Sequence, residues 1–205
     1  MTIAILGAGS VGQALAGRFK AAGRSYLYGA RDTAEREELA PHSAPAKEAV
    51  ARAGMVLLAV QYPKAEAALK GAGDLTGKIV IDATNPLQMT DDWLALSVGH
   101  TSSGAEDLAR RFPEARFVKC FNQTGAENLA DPGRLEARPA MFVAGDDEDA
   151  RAQVRDLAEA CGFEAIDAGP LKTARLLEPL AMLWIEQALK RGQGRDFAFA
   201  LTRAK

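Results

Sequence analysis

A chain of 205 residues with 48% hydrophobic content is long enough to bury one sizeable core. Its net charge of −2 gives no positive field to attract nucleic acid or an anionic membrane surface. Two cysteines, Cys120 and Cys161, are too few for a disulfide framework or a structural zinc site, and no apolar run reaches the roughly 18 residues that would span a bilayer. The expectation is a soluble cytoplasmic protein whose partners are small molecules.

The first apolar run, "TIAIL" at residues 2–6, reads as a strand rather than a leader. It enters "GAGSVG", which fits G-x-G-x-x-G and opens a helix-like segment at 10–23. In that context Gly7 permits the tight turn, Gly9 lets backbone come close to a pyrophosphate, and Gly12 lets helix and strand pack closely. The phosphates would rest on N–H groups of Gly9, Ser10 and Val11 at the positive helix end.

The next run, "SYLY" at 25–28, reads as the second strand. Folds that bind NAD place an acid at its end, about 20 residues beyond the glycines. Here that place falls on Gly29 or Ala30, and neither carries a carboxylate. Arg31 follows, and a guanidinium holds a 2′-phosphate through paired hydrogen bonds, so the expected cofactor is NADP(H). Asp32 is read as the cap of a helix over "TAEREEL".

Beyond this point, strands are predicted at 55–60, 78–82, 116–120, 140–144 and 164–167. Helices are predicted at 46–54, 63–73, 105–112 and 147–162. Runs such as "MVLLAV" fit strands buried on both faces. The alternation predicts an α/β fold, a doubly wound Rossmann-type, mostly parallel sheet. Residues 1–170 would form the dinucleotide-binding part, with 171–205 as a C-terminal helix and tail packed on it in a single compact unit.

The segment 171–192 reads as one long helix that is apolar on more than one face. Leu176, Leu177, Leu180, Leu183 and Trp184 form a stripe, which Met182 and Ile185 widen. Pro179 is expected to bend it or mark a new start. The hydrophobic excess points to a homodimer. In the tail, Phe197, Phe199 and Leu201 alternate as an edge strand would, or fray.

Loops at the carboxyl ends of strands should share one crevice. They are "VQYP" (60–63), "DATNPL" (82–87) and "CFNQTGAENL" (120–129). Tyr62 is placed along the cofactor, and Asn85 and Asn122 against an amide or ring edge, although Asn85 before Pro86 also suits a plain turn. Cys120 reads as a core residue, Cys161 has no assigned role, and His42 and His100 show no metal or catalytic spacing. Asp146, Asp147, Glu148 and Asp149 suit a first helical turn, not a metal cluster.

These segments together resemble the deazaflavin-dependent NADP oxidoreductases, which act on coenzyme F420. The resemblance is carried in order by "IAILGAGSVGQALA", "GARD", "VLLAV", "KIVIDATNPL", "VKCFNQTGAENL", "FVAGDDEDA" and "IDAGPLKTARLLEPLAMLWI". The "VKCFNQTGAENL" segment is also similar to the reductase domain of the STEAP metalloreductases, which pass electrons from NADPH to a flavin.

The resemblance implies a nicotinamide stacked on a deazaflavin, with direct hydride transfer between two carbons. By position it places NADP contacts on Ala8, Gly9, Ser10 and Val11, the 2′-phosphate on Ala30 and Arg31, and the nicotinamide half beside Tyr62, Glu66, Leu87 and Ala126. The chain departs from the family pattern at Ala30, often serine, at Glu35, where a lysine is usual, and at Gln61-Tyr62-Pro63, where a proline usually comes earlier. Arg31 then holds the phosphate with only Arg36 to help, and the second carrier, F420 or FMN/FAD, has no readable fingerprint. The expected function is an NADPH-dependent oxidoreductase with a deazaflavin or flavin acceptor and no acid–base catalytic residue. An imine or ketone reductase and an NADP(H)-binding redox sensor without turnover are the alternatives.

Overall fold

The structure, a computed structural model, describes residues 1–29 and 37–204. In chain order the elements are β1 (Thr2–Leu6), α1 (Ser10–Ala21), β2 (Ser25–Tyr28), α2 (Ala46–Ala51), β3 (Met55–Leu58), α3 (Ala65–Gly71), β4 (Ile79–Asp82) and β5 (Leu87–Met89). There follow β6 (Leu94–Leu96), α4 (Gly104–Arg111), β7 (Arg116–Lys119), α5 (Ala126–Ala130), β8 (Ala140–Gly145), α6 (Glu148–Ala160), β9 (Glu164–Asp167) and α7 (Ala174–Ile185).

The main sheet runs β2-β1-β3-β4-β7-β8-β9. All its neighbours pair in parallel except β7 and β8. Because β1 sits between β2 and β3, the chain reverses its direction of winding there, and a crevice opens at the carboxyl ends of β1 and β3. This is the doubly wound α/β architecture that the alternating runs predict.

Side-chain alternation along β1 explains why its whole length is apolar. Ile3 and Ile5 enter a core with Leu15 and Phe19 of α1 and with Val154 and Leu157 of α6. Ala4 and Leu6 enter a second core on the other face, with Leu69, Leu108, Leu171 and Ala174. A strand covered by helices on both sides has no polar face to offer.

The helix starts carry their own chemistry. Asp147 accepts a hydrogen bond from the Ala150 N–H at 2.7 Å, while Glu148 and Asp149 occupy the first turn of α6. Asp146 accepts from the Leu171 N–H at 2.8 Å. The acidic run is thus taken up by capping and by tertiary ties, Asp147 and Asp149 also pairing with Arg116 at 3.5 and 3.3 Å. Ser103 caps α4 in the same way, accepting from Glu106 N–H.

Some predicted elements differ in extent. Strand β3 ends at Leu58, and Ala59 and Val60 line the crevice instead. Residues 87–96 form an antiparallel hairpin of β5 and β6, which the sequence reading did not contain. The predicted single helix at 171–192 is divided into a tight turn Leu171–Thr173, then α7, then a π-helical turn Glu186–Lys190. Helix α7 runs through Pro179, which neither ends it nor begins a new one.

Leu177, Ala181 and Trp184 of α7 are buried, whereas Leu176 is 69% and Leu183 49% exposed. The apolar stripe is therefore split between the core and an uncovered face. Among its described residues the tail forms no strand. It is pinned by Trp184 Nε1 and Asn128 Nδ2, both donating to the Phe197 carbonyl, and by Ala140 N–H donating to the Phe199 carbonyl. Trp184 and Phe197 stack at 5.4 Å. No described helix is long and apolar enough to cross a membrane.

Candidate active site

The crevice at the switch point is a cavity of about 1090 Å³, lined by Leu6, Gly7, Ala8, Gly9, Gly29, Ala46, Val60, Gln61 and Lys64 among others. Gly7 has φ +113, and a Cβ there would stand 2.4 Å from the Ala59 carbonyl oxygen. A Cβ on Gly12 would stand 2.0 Å from the Gly7 carbonyl oxygen. Both positions therefore admit only glycine. Gly9 is different. It is the N-cap of α1 with φ −78, and a Cβ on it would meet nothing within 4 Å.

No side chain caps α1, and its first turn holds no acid. A bare helix start facing an open glycine is a cradle for an anion, and the cavity has the room for a dinucleotide. The residues present thus fit a diphosphate. Ser10 and Val11 open the helix, and Gln13 secures the turn by donating from Nε2 to the Ala8 carbonyl at 2.8 Å. Ala30, Arg31, Asp32, Glu35 and Arg36 lie outside the described residues.

The adjoining strand ends bring Asn85 and Asn122 together, Asn122 Nδ2 donating to Asn85 Oδ1 at 3.0 Å. Asn122 Nδ2 also donates to the Leu177 carbonyl, and Gln123 Nε2 donates to Asn122 Oδ1. Leu87 follows directly, its N–H bonded to the Asn85 carbonyl, and Ala126 begins α5. Three of the candidate residues beyond the glycine turn therefore converge on one junction. Glu66 stands apart on α3, its carboxylate paired with Lys70 at 2.7 Å and with Arg111.

Tyr62 is half-buried, and its ring packs on Gly104, where a Cβ would stand 2.7 Å from Cε2. Burial raises its phenol to about 12, and the charges of Asp107, Glu178 and Asp82 act in the same direction. It is a neutral hydrogen-bonding group at physiological pH. The thiols of Cys120 and Cys161 are both buried and both raised by that burial. Among the described residues no three His, Cys, Asp or Glu gather as a metal site would require.

Beneath the junction lies a group that the sequence reading missed. Lys119, the last residue of β7, is fully buried and bonds Asp82 at 3.0 Å, Glu178 at 2.9 Å and the Thr84 carbonyl at 2.5 Å. Glu178 accepts in addition from the N–H groups of Gly104 and Ala105 at the start of α4. Desolvation works against the Lys119 charge, but the two carboxylates outweigh it and hold its pKa above the ordinary lysine value. The signal available in the sequence was three charges, each embedded in an otherwise apolar run. Such charges must find partners inside the fold.

The signature described as "NADP oxidoreductase coenzyme F420-dependent" matches residues 2–86. The chain is 31% identical to the F420-dependent NADP reductase of Methanothermobacter marburgensis over an alignment of 211 residues that covers 93% of each chain. It is 34% identical to a solved structure from Arthrobacter sp. FB24, assigned as an F420-dependent NADP reductase, with a TM-score of 0.90 and coverage of 99% and 100%. Metalloreductase STEAP3 of Rattus norvegicus is 32% identical over 88% of this chain, which spans only 37% of that longer relative. Taken with the fold and the glycine cradle, these likenesses show that the chain belongs to the coenzyme F420-dependent NADP oxidoreductase family.

Proposed function

We propose that this NADP-dependent oxidoreductase moves a hydride between NADP(H) and a deazaflavin of the F420 type, with a flavin such as FMN or FAD as the other candidate acceptor. The observation that carries the reading is the glycine cradle at the switch point, with Asn85 and Asn122 joined at the next strand ends. In this reading the N–H groups of Gly9, Ser10 and Val11 hold the diphosphate, Arg31 beside Ala30 takes the 2′-phosphate, and Tyr62, Asn85, Leu87, Asn122 and Ala126 surround the nicotinamide half. Bound NADPH supplies the hydride itself.

The chain's own residues then have three tasks. The helix start offsets part of the diphosphate charge, and the glycines let backbone approach it closely. The asparagine junction offers fixed amide donors and acceptors that orient a flat polar ring, and orientation is worth several orders of magnitude in rate. Tyr62, held neutral, adds a hydroxyl without adding charge. Glu66 is a weaker member of this set, since Lys70 and Arg111 already engage its carboxylate.

For assembly, the uncovered face of α7, with Leu176 and Leu183, suits a second copy of the chain. Sedimentation of a monomer at micromolar concentration would remove the homodimer. The acceptor is tested by following NADPH oxidation with F420, FMN and FAD in turn. Oxidation dependent on one of them is expected. Tight NADP(H) binding with no oxidation across the panel would favour the sensor reading instead.

A further inference from the structure

Among the described residues, the charged side chains that are buried are Asp82, Lys119 and Glu178, and they form one group. One ammonium faces two carboxylates, so the group formally carries one negative charge. Every Lys119 donor has a partner among Asp82, Glu178 and the Thr84 carbonyl. The surplus charge is supported by backbone instead: Gly104 and Ala105 N–H groups bond Glu178, and Thr84 N–H bonds Asp82 at 2.9 Å. Nearby guanidiniums are engaged elsewhere, Arg175 with Glu106 and Arg111 with Glu66.

This anion lies directly against the asparagine junction. Asn85 is three residues beyond Asp82, and Asn122 is three beyond Lys119. The Leu177 carbonyl that receives Asn122 Nδ2 immediately precedes Glu178. Charge removed from water acts over a longer range than charge at the surface.

We propose that the Asp82–Lys119–Glu178 group is an electrostatic element of the cofactor site that favours the oxidised, positively charged nicotinamide over the reduced, neutral one. The inference rests on the reading that NADP(H) occupies the crevice with its nicotinamide end toward Asn85 and Asn122. The two forms differ by one hydride, a proton with two electrons, so the positive ring charge belongs to NADP⁺ alone. Adenosine, diphosphate and 2′-phosphate are common to both and cancel in the ratio of affinities. A charge effect moves that ratio. Loss of a merely structural support weakens both forms alike.

The test is calorimetric titration of the full chain with NADP⁺ and with NADPH, for the wild type and for Glu178→Gln. A unit charge acting over roughly 10 Å through an effective dielectric of about 20 changes a binding constant by about tenfold. The dissociation constant for NADP⁺ should therefore rise about tenfold relative to that for NADPH. Asp82→Asn should give the same sign, and serves if the first variant does not fold. Should neither fold, the wild type carries the test, and NADP⁺ should bind more tightly than the neutral tetrahydronicotinamide analogue of NADPH. An unchanged ratio in a folded variant, or tighter binding of the neutral analogue by the wild type, overturns the proposal. Failure of the wild type to bind either nucleotide overturns the reading beneath it, and the proposal with it.

Discussion

Asn85 and Asn122 hold each other: Asn85 Nδ2 donates to the Asn122 carbonyl at 2.9 Å, and Asn122 Nδ2 donates back to Asn85 Oδ1 at 3.0 Å. The loops after β4 and β7 are thereby fixed in one register. Removing Asn122 as Ala also takes a partner from the Leu177 carbonyl and from one N–H of the Gln123 amide, so it should cost about 2 kcal/mol. Asn85→Ala should cost about 1 kcal/mol, since it deprives fewer partners. Urea unfolding measures both, and equal costs, or none, would speak against the junction.

Gly9 and Gly12 should separate folding from binding. Gly12→Ala drives a Cβ against backbone at 2.0 Å and should destabilise the fold by roughly 3 kcal/mol or more. Gly9→Ala meets no protein atom, so its melting should stay within about 0.5 kcal/mol of the wild type. Its methyl group instead faces the crevice, and NADPH affinity should fall about tenfold, a difference of about 1.4 kcal/mol. Normal NADPH binding by Gly9→Ala would remove the diphosphate from this turn.

Tyr62 predicts an alkaline signature. Its ordinary phenol pKa of 10.0 is raised to about 12 in the fold, chiefly by burial. Between those values the unfolded chain has already lost the phenol proton while the folded chain keeps it. The unfolded state then binds fewer protons, so stability is complete below about pH 10 and falls as pH rises toward 12. Tyr62→Phe should flatten part of that fall. Absorbance titration near 295 nm should show a late-ionising tyrosine that is missing from Tyr62→Phe.

Cys120 and Cys161 should be inert in the native protein. Both thiols are enclosed, and burial raises Cys161 to about 12 and Cys120 well above the ordinary thiol value. A thiol reagent at pH 8 should therefore label them only after denaturant is added. Rapid labelling of the folded chain would show that the core around them opens.

The parallel core was legible because its chemistry is local. The runs around Ile3–Leu6, Met55–Leu58 and Ile79–Asp82 are apolar on successive residues, which only a sheet covered on both faces requires. The glycine turn was legible because Gly7 and Gly12 are forced by backbone contacts close in sequence. The β5–β6 hairpin was not, since its three-residue strands carry no clear alternation and depend on packing of β6 against α7 and of Lys190, in the π-helical turn after α7, over the Trp93 ring at 5.1 Å. Nor was the Lys119 group, whose members are 37 and 59 residues apart and meet only through tertiary structure. The division of the α7 stripe into buried Leu177 and exposed Leu176 likewise depends on which neighbours the helix meets.

The most direct measurement is titration of the purified chain with NADPH and with NADH, repeated on Arg31→Ala. NADPH should bind the wild type at least about tenfold more tightly than NADH, as a paired guanidinium–phosphate contact requires. Arg31→Ala should erase that preference by weakening NADPH alone. Indifference to both nucleotides, or a tenfold preference for NADH, would contradict the account.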